Sequence, residues 1–451
     1  MAAEHRLLFD VTGLVAWYAF YRTPTGIQRV IERVLAEPAI ADDPQVVRVA
    51  RVAGASSLFV IDPRILEGLG KEGAHDAAVL RIRQAYRDML RRMPLVPSVR
   101  EMEWFQAPYF AWTWLGLRHL WDPHRAALAD PAYVRPKPIE GLGEHDVFVN
   151  VGDFWWYPGQ SQAIGRLKAR HGFALVQMIH DLFPLGTTAW GPQAFRRKFG
   201  KQFALLVPLV DRWLVNSAFV QGELQRHLQQ IDAPRHPIDV VAMGWEIPPP
   251  VENHGVLQRH GLEQGRYFLQ VGTLEPRKNH MAVVRAVERL RQKHGASLPT
   301  CVFVGARGLR SAALVRHLER TRFADGAIRW LRGVKDAELG ALYRGALFTV
   351  YPSLIEGWGL PVQESLLHGV PCIASNAGAI PEAGLDLAAY VDPADDTQLT
   401  AAIERYVCDP SALPEARSKI SAFLADRTQL PSWRDAAETI RDTVDRARHR
   451  R

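Results

Sequence analysis

Tyr351-Pro352-Ser353-Leu354-Ile355-Glu356-Gly357-Trp358-Gly359-Leu360-Pro361-Val362-Gln363-Glu364 is the stretch of this 451-residue chain that decides the fold. A strand ends at Tyr351, a loop with two glycines follows, and Pro361 stands where a helix begins. Proline suits that position because its missing N–H would have no partner in the first turn anyway. A strand, a glycine loop and a helix start place backbone N–H groups at the carboxyl edge of a parallel sheet. Open α/β sheets bind ligands at that edge, and helix N-termini bind phosphate. Glu356 lies in the loop and Glu364 is expected in the first helical turn, with seven residues between them, so both can face one ligand. Carboxylates there suit the hydroxyls of a sugar or ribose. Glu364 alone has an ordinary reading, since acids favour the first turn through the helix dipole; the combination points to a ligand.

Working upstream, Phe268-Leu269-Gln270-Val271-Gly272-Thr273-Leu274-Glu275-Pro276-Arg277-Lys278-Asn279 repeats the pattern. Asn279 is positioned to cap a helix running to about His294. Arg277 and Lys278 then stand at a helix N-terminus, where cations oppose the dipole unless an anion lies between. A diphosphate is such an anion; the plain alternative is two exposed basic loop residues. Further strands are read at Thr300–Val304, Leu347–Tyr351 and Pro371–Ser375, with helices at Ala337–Arg344 and Pro361–His368.

The first half alternates in the same way, with strands at Leu7–Val11, Asp146–Val151, Ala174–Ile179, Trp213–Val215 and Ile238–Ala242. Such alternation indicates α/β architecture with parallel sheets. Pro248-Pro249-Pro250 and the polar run after it read as a linker. The expected organisation is therefore two Rossmann-like doubly wound domains, residues 1–250 and 251–410. Residues 411–451 are read as helices packing back toward the first domain. Residues 85–160 are rich in aromatics, among them Trp104, Phe105, Tyr109, Phe110, Trp112, Trp114, Trp121, Trp155, Trp156 and Tyr157. An inserted helical subdomain spanning about 85–145 is the preferred reading, with an acceptor groove or a membrane-facing surface as alternatives.

Composition sets the outer limits. A hydrophobic fraction of 47% with 23% charged residues is that of a globular protein, long enough for two cores. The net charge of +7 admits an anionic ligand such as a sugar nucleotide, but no dense Lys/Arg tract supports nucleic-acid binding. Three widely spaced cysteines, Cys301, Cys372 and Cys408, suggest neither a disulfide framework nor a thiolate metal site. No apolar run reaches the ~18 residues of a membrane span, and the N-terminus reads as a strand rather than a signal peptide. A cytoplasmic location is expected, with peripheral contact at the inner face of the membrane as an option.

The segments around Glu356–Glu364 and Val271–Asn279, with Asn376-Ala377-Gly378-Ala379-Ile380-Pro381-Glu382, resemble the retaining GT-B glycosyltransferases of family 4, the glycosyl transferases group 1. The resemblance is strong over about 267–393 and thinner before it. It implies a GT-B fold and a metal-independent transfer of a hexose from a nucleotide-sugar donor to a glycan or lipid-linked glycan. The donor acts as substrate, with no cofactor or metal; GDP-mannose is favoured, and UDP- and dTDP-linked sugars stay open. By the same resemblance Arg277 and Lys278 hold the diphosphate, Glu356 contacts the transferred sugar and Glu364 the ribose. Gly357, Trp358, Gly359 and Leu360 lie near sugar and phosphate, and Val334 and Leu339 near the base. Relatives often carry an arginine where this chain has Thr273, which leaves Arg277 to compensate.

In the first half, His180 and Asp181 end a strand where relatives place a His-Asp pair facing the reacting sugar. Gly26, within Thr25-Gly26-Ile27-Gln28-Arg29, allows close ligand approach in the N-terminal loop. Asn216-Ser217 reads both as a helix cap and as a cleft-facing segment, and Asp153 is a candidate contact for an acceptor hydroxyl. The chain has no Asp-x-Asp, so leaving-group charge is expected to fall on fixed cations and N–H dipoles. Two rivals are weighed: a sugar-nucleotide epimerase on the same fold, and a non-catalytic nucleotide-sugar or glycan-binding module.

Overall fold

The computed structural model describes residues 5–52, 57–71, 73–92, 130–157, 159–186, 192–246, 255–426 and 430–448. Most of the expected aromatic insertion and the Pro248–Pro250 linker lie outside these residues.

Two sheets organise the chain. The first is eight-stranded: β1 (Leu7–Asp10), β2 (Val46–Ala50), β3 (Phe59–Val60), β4 (Lys137–Pro138), β5 (Val147–Asn150), β6 (Ala174–Ile179), β7 (Arg212–Val215) and β8 (Ile238–Val240). Its spatial order is β4-β3-β2-β1-β5-β6-β7-β8. The second is six-stranded: β9 (Tyr267–Val271), β10 (Thr300–Val304), β11 (Ile328–Leu331), β12 (Thr349–Tyr351), β13 (Cys372–Ser375) and β14 (Ala389–Val391), ordered β11-β10-β9-β12-β13-β14. β3 pairs antiparallel with both β2 and β4; every other pairing is parallel. Strands β1, β5, β6 and β7 are buried along their whole length, as expected where helices cover both faces of a parallel sheet.

Each sheet reverses its strand order once, between β1 and β5 in the first and between β9 and β12 in the second. The loops leaving neighbouring strands part at such a point and open a crevice beyond their carboxyl ends. The Glu356 loop leaves β12 and the Lys278 loop leaves β9, so the two segments that carried the sequence reading flank one crevice.

The C-terminal helices divide between the domains. Helix Ala412–Ala425 stays with the second, packing Ile420, Phe423 and Leu424 beside Val362, Leu366 and Trp245. Only Trp433–Arg448 returns, against the expectation that the whole tail does. Its Trp433, Ala436, Ala437, Ile440 and Val444 are buried in the core built on Leu7, Phe9, Val147 and Val176. Strongly amphipathic spacing in this last helix, against weak spacing in the one before, accounts for the split. Trp433 also presses on Gly244, where any Cβ would overlap its indole ring.

Candidate active site

The second domain supplies a carboxylate held between two cations. Arg277 Nη1 lies 2.5 Å from Glu356 Oε2, and Lys278 Nζ lies 2.7 Å from Oε1. Tyr351, at the end of β12, joins them: Lys278 Nζ donates to its hydroxyl at 2.5 Å, and the hydroxyl donates to Glu356 Oε1 at 3.1 Å. Burial alone would raise the Glu356 pKa, but Arg277 and Lys278 overcome it and hold the carboxyl down at about 2. Burial, with Arg277 nearby, pushes the Lys278 ammonium below its ordinary value, against the pull of Glu356.

Arg277 is braced from three more sides. It donates to Ile355 O at 3.0 Å and to Glu275 Oε1 at 2.7 Å, and its guanidinium sits 4.6 Å from the Phe183 ring centroid in the first domain. Thr273 is exposed on the same loop and points at Gly308. The positive charge of this loop is carried by Arg277 and Lys278. Gly305 and Gly272 permit this loop its shape: both have left-handed φ (154° and 150°), and a Cβ on Gly305 would overlap Gly272 O.

Three local expectations need correction. Arg277 and Lys278 sit in a short 3-10 turn, Pro276–Lys278, before the helix His280–His294. Asn279 occupies the N-cap in a left-handed conformation (φ 54°), and its amide donates to Pro393 O at 2.9 Å instead of capping. The helix after the glutamate loop runs Leu360–Leu367, with no side-chain cap, and Glu364 falls beyond its first turn.

Glu364 does not share the Glu356 cluster. Its Oε1 accepts from Arg29 Nη1 at 2.7 Å and its Oε2 from the Tyr343 hydroxyl at 2.9 Å. The Arg29 pair crosses between domains. Val334 and Leu339 are partly buried against the β9–β10 face of the second domain. Trp358 packs on the first domain's core and donates to Gln363 Oε1 at 3.2 Å.

The first domain meets this loop closely. A Cβ on Gly357 would overlap the carbonyl oxygen of His180, so only glycine admits this approach. A Cβ on Gly26 would stand 3.3 Å from Leu360. Ser217 Oγ accepts from Val220 N at 3.1 Å, capping helix Ala218–Gln230, and donates to Gly357 O at 2.9 Å. The cap expected of that segment is made by Ser217. The same helix start is bound from across the cleft, with Ala218 N and Phe219 N each donating to the Glu382 carboxylate at 2.8 Å. Asn216 is buried just before it.

His180 donates from Nε2 to Val151 O at 2.8 Å. A carbonyl can only accept, so Nδ1 is the unprotonated nitrogen, and burial lowers the ring pKa to about 4. Asp181 is pushed up to about 7, first by desolvation; Arg277 opposes the rise and Glu356 adds to it. Asp153, after β5, is likewise raised to about 7 by burial, against a hydrogen bond from Trp156 N. Asp153, His180 and Asp181 line one small cavity with Ile27, Trp155 and Phe183. Among the described residues, metal-ligand chemistry clusters only at His294, Glu404 and Cys408. That group lies at the far end of helix His280–His294, and Lys293 already pairs with its carboxylate.

Arg29, Tyr343, Tyr351, Phe183 and Glu275 had no assigned role in the sequence reading. Tyr351 was findable as the strand's last residue; the Arg29 partner, hundreds of positions away, left no local signal.

Residues 257–422 match the family glycosyl transferases group 1. Over 163 residues the chain is 37% identical to the O-antigen chain mannosyltransferase B of Escherichia coli, covering 36% of this chain and 42% of that relative. The chain thus spans less than half the length of that relative. Among solved structures, Anabaena Alr3699/HepE in complex with UDP and glucose superposes with a TM-score of 0.60 at 14% identity, covering 98% of this chain and 99% of that one. Sucrose-phosphate synthase from Thermosynechococcus elongatus also gives 0.60, at 16% identity over 98% of both chains. At these identities the likeness establishes the fold, two facing Rossmann-like domains. No helix among the described residues is long and apolar enough to cross a membrane.

Proposed function

We propose that this chain, a group 1 glycosyltransferase of GT-B fold, transfers a hexosyl residue from a nucleoside-diphosphate sugar to a glycan, with retention at the anomeric carbon. The observation that carries the reading is the meeting of Arg277 and Lys278 on Glu356 at the switch-point crevice of the second sheet. Arg277 and Lys278, held in place by Glu356 and Glu275, bring two fixed cations to the crevice, which a departing diphosphate complements.

In this reading the donor diphosphate lies against Lys278 and Arg277, Glu356 accepts from hydroxyls of the transferred sugar, and Glu364 exchanges Arg29 for the ribose hydroxyls. His180 and Asp181 face the sugar from the first domain. The interdomain contacts at Gly357, Ser217 and Glu382 define a closed state that excludes water, which would otherwise consume the donor. Charge growing on the leaving group is met by cations already fixed in place, so little reorganisation accompanies bond breaking.

A mannosyl donor, GDP-mannose first, is favoured by the E. coli relative's name. The acceptor is a growing glycan or its lipid-linked precursor at the cytoplasmic face of a membrane. The test is incubation with GDP-mannose, UDP-glucose, dTDP-glucose and ADP-glucose, following melting temperature and nucleotide release. One donor is expected to raise the melting point, since a ligand bound only to the native state stabilises it by mass action. No shift with any of the four, in wild type and Glu364→Ala alike, overturns the donor site.

A further inference from the structure

Away from the crevice, two helices of the second domain bring an imidazole, a carboxylate and a thiol together. Helix His280–His294 packs beside helix Asp396–Cys408, with Val283, Val287, Leu290, Leu399 and Ile403 in one core. His294 is the last residue of the first helix and Cys408 the last of the second. Glu404 stands four positions before Cys408, so the two share one helix face. His294 Nε2 lies 2.5 Å from Glu404 Oε1 and 3.9 Å from Cys408 Sγ. All three ligand atoms lie within 4.8 Å of one another. Ligand atoms of a tetrahedral zinc site stand roughly 3.4–3.6 Å apart, so side-chain shifts of about 1 Å complete the geometry.

The setting favours a cation. A helix carboxyl end carries partial negative charge on its unpaired carbonyls, and two such ends converge here. Hydrogen bonds from Lys293 and His294 hold Glu404 below its ordinary pKa, which leaves it ionised at neutral pH. The Lys293 ammonium, 2.7 Å from Glu404 Oε1, already stands where a metal ion would. That side chain is 64% exposed, and an exposed pair of this kind gives way at little cost. Two neighbouring cations are engaged elsewhere, Arg291 with Gly295 O and Arg405 with Asp409.

The ligand types select the ion. One thiolate, one imidazole and one carboxylate suit zinc, whereas magnesium and calcium take oxygen ligands. Cysteine spacing hides such a site, because it uses a single cysteine and a histidine 114 positions away.

We propose that His294, Glu404 and Cys408 form a zinc site that joins the carboxyl ends of the two helices, with water as fourth ligand. As the Zn–S bond forms, the Cys408 thiol releases its proton to solvent, and Lys293 leaves Glu404. Helix His280–His294 has 15 residues, about 22 Å at ~1.5 Å per residue, and its whole length separates the site from Lys278. The ion therefore braces the second domain and takes no part in sugar transfer, so the proposal stands apart from the transferase reading.

Cobalt(II) and zinc titrations of the full chain, without a polyhistidine tag and stripped by chelator, test it. Cobalt is expected to bind at one equivalent with a thiolate-to-cobalt charge-transfer band, which zinc abolishes and a large excess of magnesium leaves intact. Cys408 is exposed, so Cys408→Ser should fold as the wild type does, lose the band and bind zinc at least about tenfold more weakly. Lys293→Gln removes the competing ammonium and should bind zinc several-fold more tightly. Free zinc at about a hundredfold over Kd should raise the wild-type melting temperature by about 5–10 °C, and that of Cys408→Ser by about half as much or less. A wild type without the band, a band that survives in Cys408→Ser, equal melting shifts in the two, or no tightening in Lys293→Gln overturns the proposal.

Discussion

Replacing Glu356 by Gln keeps the shape of the central side chain and removes its charge, leaving Arg277 and Lys278 facing each other in a buried site. The carboxyl is held from 4.5 down to about 2, and at about 1.36 kcal/mol per pH unit this is about 3 kcal/mol of stability at neutral pH. Breaking a buried pair by removing one partner costs about 3–5 kcal/mol, the same range. At roughly 2–4 °C per kcal/mol for a domain of this size, the second domain's melting point should fall by about 6–12 °C. The sign of the pH dependence follows from the lowered pKa: the contribution is complete above 4.5 and is lost as pH falls toward 2. The gap between wild type and variant in urea midpoint should therefore be constant from pH 7 to 5 and narrow below. Inorganic pyrophosphate and GDP supply the missing negative charge, so each should raise the variant's melting point more than the wild type's, while transfer is lost. Equal melting points at pH 7, or diphosphate shifts no larger in the variant, would refute a site in which Glu356 is the anion shared by both cations.

Gly357→Ala places a methyl on the His180 carbonyl; both domains should fold with unchanged melting, nucleotide binding should survive, and transfer should fall at least ~100-fold because closure is blocked. Asp153→Asn should gain stability relative to wild type as pH rises. The raised carboxyl pKa of about 7 means its stabilisation is complete below 3.8 and lost through pH 7; a variant no more stable at pH 8 than at pH 5, relative to wild type, contradicts this. Trp433→Ala should destabilise the first domain by about 3–5 kcal/mol, read as a lowered urea midpoint, and leave the second domain's transition in place. Glu382→Ala removes both bonds to the start of helix Ala218–Gln230. A carboxylate at a helix N-terminus contributes about 1–2 kcal/mol, so the radius of gyration in solution should increase; an unchanged scattering profile would show that this contact does not hold the cleft closed.

The two strand–loop–helix segments were legible because their signals are local: a buried strand, glycines at the turn, a proline at the helix start. From them followed the meeting of Arg277, Lys278 and Glu356 at one crevice. Legibility failed where the deciding partner is remote. Arg29 and Glu364 pair across 335 positions, and no spacing announces that a ribose candidate is already occupied. Strand β2 escaped because Arg48 interrupts its apolar run; in the fold that arginine is buried and donates to the carbonyls of Ile40 and Ala41. β3 and β4, two residues each, are too short to show alternation. Asn279 misled because an Asn at a helix start suggests a cap, whereas here its left-handed backbone matters and the amide looks elsewhere.

The helix Trp433–Arg448 has a consequence for how the molecule comes into being. Its apolar side closes the core of the domain whose first strand begins at Leu7. On the ribosome, that sheet emerges early and waits, with one flank uncovered, while the whole second domain is made. An incomplete chain exposes the flank, the kind of surface that draws chaperones or other nascent chains. Shortening the tail by one helix would then reduce yield before it touched catalysis. Of the two domains, the one begun earlier is completed later.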